Sequence, residues 1–263
     1  MAANDPVDSI EELLDFAITL AHDAGAIALS YFGKDIQQER KHDGSVVTIA
    51  DREAEQLMRR RISERYPEDG IVGEEFGVRE GSSGRRWILD PIDGTFSFTH
   101  GVPLFGVLLG LENSGRPAVG VAHMPALHET VAAGSGLGCQ WNGVRASTSQ
   151  IATLGDALVV STDFYAHHAH GLGVAAERIQ AAASARRGWG DCYAHILVAT
   201  GRAEVALDPL MSIWDCAALA PILEEAGGTF TDWRGRRTIE GGNAISTNGP
   251  LFDDVMKLVR LSS

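Results

Sequence analysis

The hexapeptide Asp90-Pro91-Ile92-Asp93-Gly94-Thr95 narrows the folds open to this chain more than any other stretch of it. Proline fixes its own φ and holds the residue before it in extended backbone, so Asp90 ends a strand. The apolar Trp87-Ile88-Leu89 in front of it supplies that strand. Gly94 admits a sharp turn, and Thr95-Phe96-Ser97-Phe98-Thr99 then reads as a helical turn. Asp90 and Asp93 can therefore face one point, with the Ile92 carbonyl exposed beside them. Backbone N–H groups of Gly94 and Thr95, at a helix start without partners inside the helix, form a seat for phosphate.

Two further acidic words join this one. Glu74 and Glu75 stand at the end of the run Ile71-Val72-Gly73, and Trp214-Asp215 opens an apolar helix. Carboxylates at strand ends and in a tight turn offer hard oxygen ligands, which Mg²⁺ prefers in octahedral geometry completed by waters and a substrate phosphate. Glu74, Asp90, Asp93 and Asp215 together carry −4 and would repel a phosphate; two or three Mg²⁺ bring the local total to between 0 and +2. Taken singly, Glu74 and Glu75 also read as solvated surface charges, and Asp215 as a helix-start acid. The two aspartates of the hexapeptide stand three apart, where phosphatases of the haloacid-dehalogenase type, which form an aspartyl phosphate, have them two apart. Direct attack by water is the expectation, without a covalent intermediate.

Around these words, Ser9-Ile10-Glu11-Glu12 is a capping box, followed by Leu13, Phe16, Ala17, Leu20, Ala24, Ile27, Ala28 and Tyr31 at helical spacing up to Gly33. Residues 51–66 give a second helix, stopped by Pro67. From Arg86, strand patterns at 87–89, 104–111, 118–123 and 129–133 predict an antiparallel sheet. The glycine run 134–138 misses the register of a nucleotide loop, and Asn142-Gly143 marks a hairpin. From Ile151, strands at 157–161, 203–207 and 229–232 alternate with helices at 173–185 and 214–226, which predicts an α/β layer beside the first sheet. A chain of 263 residues, 44% hydrophobic, then makes one large domain or two intimate subdomains sharing a cleft.

A net charge of −13 argues against a binder of nucleic acid or anionic membrane driven by net charge. Cys139, Cys192 and Cys216 are odd in number and include no C-x-x-C pair, so neither a disulfide framework nor a zinc knuckle is encoded, and a reducing, cytoplasmic setting is expected. The longest apolar stretch, 102–111, contains two glycines, and the first residues lack a basic region followed by an apolar one; neither leader nor membrane span is expected.

Four blocks resemble the inositol monophosphatase superfamily of Mg²⁺-dependent, lithium-sensitive phosphomonoesterases. They are Lys41-x-Asp43-Gly44-Ser45-Val46-Val47-Thr48-x-x-Asp51, Gly73-Glu74-Glu75, the stretch from Trp87 to Thr95, and Trp214-Asp215-x-Ala217-Ala218 with Glu225-Ala226-Gly227-Gly228. The resemblance implies an α+β fold, a layered αβαβα sandwich with an antiparallel N-terminal sheet and a smaller α/β C-terminal layer. Residues 1–150 would carry most metal ligands, and 151–263 the specificity residues and Asp215. It also implies roles. Glu74, Asp90 and the Ile92 carbonyl would hold one metal, Asp90, Asp93 and Asp215 a second, with a weaker third ion beside Glu74. The catalytic residues would be Thr95, Asp51 and Glu74: Thr95, hydrogen-bonded to Asp51, orients a metal-bound water for in-line attack, and the second metal stabilises the leaving alkoxide. The implied cofactor is Mg²⁺, two to three per site, with Mn²⁺ a substitute and Li⁺ and Ca²⁺ inhibitory. The implied partners are a small-molecule phosphate ester and a second copy of the chain in a homodimer.

Substrate choice is read from Arg187-Gly188-Trp189-Gly190-Asp191-Cys192-Tyr193-Ala194-His195. At this place inositol-specific members tend to carry small residues after the glycine, whereas Trp-Gly-Asp-x-Tyr-x-His looks like the histidinol-phosphate phosphatase branch. Histidinol phosphate carries an amine and an imidazole, which Asp191 and Asp208 would pair with. The expected substrate-binding set is Asp93, Gly94, Thr95, Arg187, Trp189, Asp191, Asp208 and Asp215. Trp189 and Tyr193 either flank an imidazole ring or pack a junction; Arg187 reaches phosphate, a partner subunit or solvent; His195 is structural or substrate-binding. His167-His168-Ala169-His170 reads as a loop or pocket rim rather than a metal site, since i, i+1 and i+3 do not share one helix face. Inositol 1-phosphate is the alternative substrate. A non-catalytic metal-binding scaffold and a nucleotide or fructose-bisphosphate phosphatase are weaker readings.

Overall fold

Ser9 caps the first helix as its sequence demands. The Glu12 N–H donates to Ser9 Oγ at 3.2 Å and the Ser9 N–H to Glu12 Oε2 at 2.9 Å, opening α1 (Ile10–Tyr31). The computed structural model describes residues 8–40 and 46–261, so Lys41, Asp43, Gly44 and Ser45 of the first block lie outside the described residues. The chain continues through β1 (Gln38–Arg40), β2 (Val46–Thr48), α2 (Ile49–Arg65), β3 (Gly70–Gly73), β4 (Gly77–Arg79), β5 (Arg85–Asp93) and α3 (Thr95–Thr99). Next come β6 (Gly106–Asn113), β7 (Arg116–Met124), β8 (Glu129–Gly134), β9 (Gly138–Trp141) and β10 (Val144–Ala146). The second half holds β11 (Leu158–Ser161), α4 (Ala166–Ala169), α5 (Gly173–Ala182), β12 (Ala185–Arg187), α6 (Asp191–Ala199) and β13 (Val205–Asp208). It ends with α7 (Ile213–Ala217), α8 (Leu219–Glu225), β14 (Thr229–Thr231), β15 (Ala244–Thr247) and α9 (Phe252–Arg260). By length and hydropathy α1 could cross a membrane, but Leu13, Leu14, Ala17, Leu20, Ala21 and Ala24 are buried against the first sheet and α2, the pattern of a core helix.

Eight strands form the first sheet in the order β10-β9-β8-β7-β6-β5-β3-β4. It is antiparallel as expected, except that β3 and β5 run parallel, because β4 folds back on the outer side of β3 and the chain then crosses to the other. The Asn142-Gly143 hairpin forms, both residues at positive φ (49° and 76°) and Trp141 facing Val144. The glycine run is the turn between β8 and β9. A second sheet, β12-β11-β13-β15-β14, is parallel over its first three strands. Strands β12 and β15 and helix α9 are additions to the expected set; residues 185–187 end the expected 173–185 helix early and pair with β11 instead.

The layers stack as α1 and α2, the eight-stranded sheet, α6 to α8, the five-stranded sheet, then α5 and α9, with one apolar core in each outer seam and a single continuous core around the middle helices. The expected helix over 214–226 is two helices broken at Ala218. Pro221 cannot sit inside a continuous helix but is tolerated in the first turn of a new one. The break lies in a slot made by Gly110 and Gly120, which face each other across β6 and β7. A Cβ on Gly120 would stand 2.1 Å from the Ala218 carbonyl oxygen, and one on Gly110 2.6 Å from the Ala217 Cβ. That close approach delivers Asp215 to the end of the first sheet.

Candidate active site

Asp90 and Asp93 would point to opposite faces of a regular strand, since side chains alternate. They do not, because Asp90 pairs with Leu108 and Asp93 with Gly106, three steps on β5 against two on β6. This bulge at Pro91-Ile92 returns both carboxylates to one side, where proline costs no ladder hydrogen bond. Asp215 meets them: one ligand oxygen from each of Asp90, Asp93 and Asp215 lies within 4.8 Å of the others. Each is fixed by a backbone N–H: Ile92 to Asp90 Oδ1 (3.0 Å), Cys192 to Asp93 Oδ2 (2.6 Å) and Ser212 to Asp215 Oδ2 (2.6 Å). Glu74, just past β3, lines the same cavity of about 260 Å³ with Ile92, Gly94, Thr95, Leu210 and Met211.

Crowded acids in a shielded pit resist ionising. Burial, then the Asp215 charge, pushes Asp93 up to about 7; burial, then Glu74, pushes Asp215 up to about 7. Asp90 is raised well above the carboxylate range by burial and by Glu74, Asp93 and Asp215. Oxygen donors gathered against their own repulsion fit a hard divalent cation.

Asp51 is the N3 acid of α2, which starts at Ile49 rather than at 51 because Thr48 is its cap. Asp51 Oδ2 accepts from the Thr48 N–H (2.8 Å) and Oγ1–H (2.6 Å), leaving Oδ1 toward Thr95. Thr95 Oγ1 lies 3.5 Å from Asp51 Oδ1 and 2.9 Å from the Ile92 carbonyl oxygen, so in this state its proton goes to Ile92. Burial lifts Asp51 to about 6. Gly94 sits at φ 81°, and a Cβ there would stand 2.9 Å from the Leu104 carbonyl oxygen. Sequence reading missed Glu55. Fully buried on α2, it accepts from the Glu75 N–H (2.7 Å) and the Phe76 N–H (3.2 Å), and from Arg59 Nε at 2.6 Å, and so holds the turn that carries Glu74. Its only sequence signal is Gly73, whose Cβ would lie 2.0 Å from Glu55 Oε1.

The model of the inositol monophosphatase family matches residues 9–260. The chain belongs to the inositol monophosphatase family. A histidinol-phosphatase of Chlorobaculum parvum is 47% identical over 240 residues, covering 90% of this chain and 93% of that protein. A histidinol-phosphatase of Mycobacterium tuberculosis is 36% identical over 249 residues, covering 92% and 96%. Among solved structures, an inositol monophosphatase of Thermotoga maritima superposes with a TM-score of 0.86 at 32% identity, covering 95% of this chain and 98% of that one. The layered sandwich is thus the fold of the inositol monophosphatase family, and the chain is a phosphatase of that superfamily.

Helix α6 brings Asp191 and Cys192 of the 187–195 stretch beside Gly94 and Asp93. Asp191 holds positive φ (53°), a strained setting for a residue other than glycine, with its N–H donating to Thr162 Oγ1 at 2.8 Å. Gly190 is needed there, since a Cβ would stand 2.2 Å from the Thr162 Cα. Asp191 Oδ2 would lie 3.1 Å from a Cβ on Gly94, and burial, then Asp93 and Asp208, lifts its carboxyl to about 8. Asp208 is 6% exposed and bonded to His195. Trp189 is 41% exposed, whereas Tyr193 packs at the junction under Arg202. Arg187 is exposed on β12, the edge strand, donating to the Arg186 carbonyl oxygen at 2.7 Å. The three histidines do not converge: His167 is buried against Trp233, His168 pairs with Glu177 at 2.9 Å, and His170 is exposed.

Proposed function

We propose that this chain is a Mg²⁺-dependent phosphomonoesterase that hydrolyses histidinol phosphate to histidinol and phosphate. The observation that carries the reading is the double ring of acids. Asp90, Asp93 and Asp215 gather with Glu74 in one cavity, and Asp191 and Asp208 stand beyond them as a second acidic group. One ring suits divalent cations; the other suits a cationic tail on the ester. Glu74, Asp90, Asp93, Asp215 and the Ile92 carbonyl would hold the cations, and Asp93, Asp215, Arg187 and Trp189 would line the path of the substrate. Bound Mg²⁺ supplies charge neutralisation at the phosphate and a lowered pKa for water in its shell.

The chain's own groups then do the positioning. Gly94 and Thr95 offer backbone N–H groups to a phosphate oxygen. The Thr95 hydroxyl turns from the Ile92 carbonyl to Asp51 Oδ1 and accepts a hydrogen bond from the attacking water, which it aligns with phosphorus. As the new P–O bond forms, the water's proton passes to Thr95 Oγ1 while the Thr95 proton passes to Asp51, whose carboxyl is lifted to about 6. The ester P–O bond breaks and the alkoxide leaves, protonated by solvent. Asp191 and Asp208 pair with the amine and the imidazole, an interaction that neutral inositol lacks. Residues 1–150 supply most of the cation site and 151–263 the selectivity, in a cytoplasmic homodimer without nucleic-acid or membrane partners. This activity belongs to histidine biosynthesis.

A substrate panel tests this. With Mg²⁺ present, kcat/KM for histidinol phosphate is expected to exceed that for inositol 1-phosphate and a nucleotide monoester by about tenfold or more. Parity with inositol 1-phosphate would remove the substrate and leave the reaction class.

A further inference from the structure

His195 is fully buried in α6 and bonded on both sides of its ring. Nε2 lies 3.1 Å from Asp208 Oδ2, and Nδ1 lies 2.7 Å from Ser246 Oγ on β15. An ionised carboxylate only accepts, so Nε2 carries the proton and Nδ1 accepts from the serine hydroxyl. Both ring nitrogens thus have a partner, and one oxygen of Asp208 is held by the ring. The three residues have the composition of a nucleophilic triad but not its use, since Ser246 is fully buried and out of reach of an ester. The Trp233 Nε1–H donates to the Asp208 carbonyl oxygen at 2.9 Å, fixing the backbone on the other side. Asp208 Oδ1 takes no hydrogen bond from a described residue, and the side chain keeps 8% exposure.

We propose that His195 is a positioning residue for substrate selection: it clamps one oxygen of Asp208 so that the other meets the cationic end of the phosphate ester. Asp208 is the last residue of β13, two before Leu210 and three before Met211, which line the cavity that holds Asp93 and Asp215, and this places it at the edge of the cleft. This inference rests on the histidinol phosphate reading. A bland alternative exists on the same helix: α6 also donates the Cys192 N–H to Asp93, so His195 could serve only to pin α6. The two differ in what they damage. A pin would affect every ester; a clamp on Asp208 affects the cationic one.

The test is steady-state kinetics of wild type, His195→Leu and His195→Gln on histidinol phosphate and on glycerol 2-phosphate, which lacks a cation. His195→Leu is expected to raise KM for histidinol phosphate about tenfold with kcat within about threefold, and to change KM for glycerol 2-phosphate less than about twofold. His195→Gln, which keeps an N–H donor near Asp208, recovers most of the loss. Equal losses on both esters, a loss in kcat alone, or no change would overturn the proposal. If His195→Leu does not fold, Ser246→Ala serves instead, with a smaller loss of the same selectivity. Wild type without preference for histidinol phosphate over glycerol 2-phosphate defeats the substrate reading by itself, before any variant is made.

Discussion

Replacing Asp93 by Asn should stabilise the metal-free protein while destroying its activity. Asp93 is lifted from its ordinary 3.8 to about 7, chiefly by burial and then by Asp215. For a carboxylic acid the unfolded chain releases its proton near 3.8 and the folded chain only near 7, so folding becomes steadily less favourable between those values and the full cost is present above them. At about 1.4 kcal/mol for each tenfold change the cost at pH 8 is about 4 kcal/mol, and solvent reaching the carboxylate through the cleft mouth leaves about 2 to 4 kcal/mol. Asn removes the charge and keeps an oxygen for the Cys192 N–H, which now donates to Asp93 at 2.6 Å. In urea titrations with chelator, Asp93→Asn should therefore exceed wild type by about 2 to 4 kcal/mol at pH 8 and by about 1 kcal/mol near pH 5. Added Mg²⁺ should raise the stability of wild type more than that of the variant, which loses one ligand of the second cation, and phosphate release should fall by orders of magnitude. A variant less stable than wild type at pH 8 without metal, or a gap that does not change with pH, would refute the electrostatic reading of the cluster.

Thr95→Val removes the hydroxyl beside Asp51 and Ile92 while preserving shape; kcat should fall about 10²-fold or more with little change in KM, measured on histidinol phosphate. Gly120→Ala places a methyl 2.1 Å from the Ala218 carbonyl oxygen and should cost about 3 kcal/mol or more, read as a fall in melting temperature. Unchanged melting would mean that the two layers can part there without penalty.

The acidic cluster of the candidate site was partly legible because Asp90 and Asp93 sit in a word whose local chemistry is self-sufficient. Asp90, Asp93 and Gly94 are set by proline, a strand end and a positive-φ turn, all within six residues. The layered sandwich followed from the family resemblance. What the sequence did not show depends on distant partners. Glu55 reads as one acid on a charged helix, and only the turn after Gly73, brought over it by sheet pairing, makes it a support. The Cys192 N–H reaches Asp93 from 99 residues away. The bulge was invisible, since it is a mismatch with β6 rather than a property of β5. The break at Ala218 did have a sign, Pro221, outweighed by the apolar periodicity around it.

The contact of Gly110 and Gly120 with Ala217 and Ala218 sets glycine backbone against backbone and one alanine methyl, with no rotamer to adjust. The spacing between Asp93 and Asp215 is accordingly a rigid dimension of the molecule, like a gauge block. The residues proposed to face the tail of the ester, Asp191 at the start of α6 and Asp208 at the end of β13, lie outside that contact. Changes there can retune what is admitted while the reactive floor keeps its dimensions, so one scaffold can serve several esters without rebuilding its chemistry.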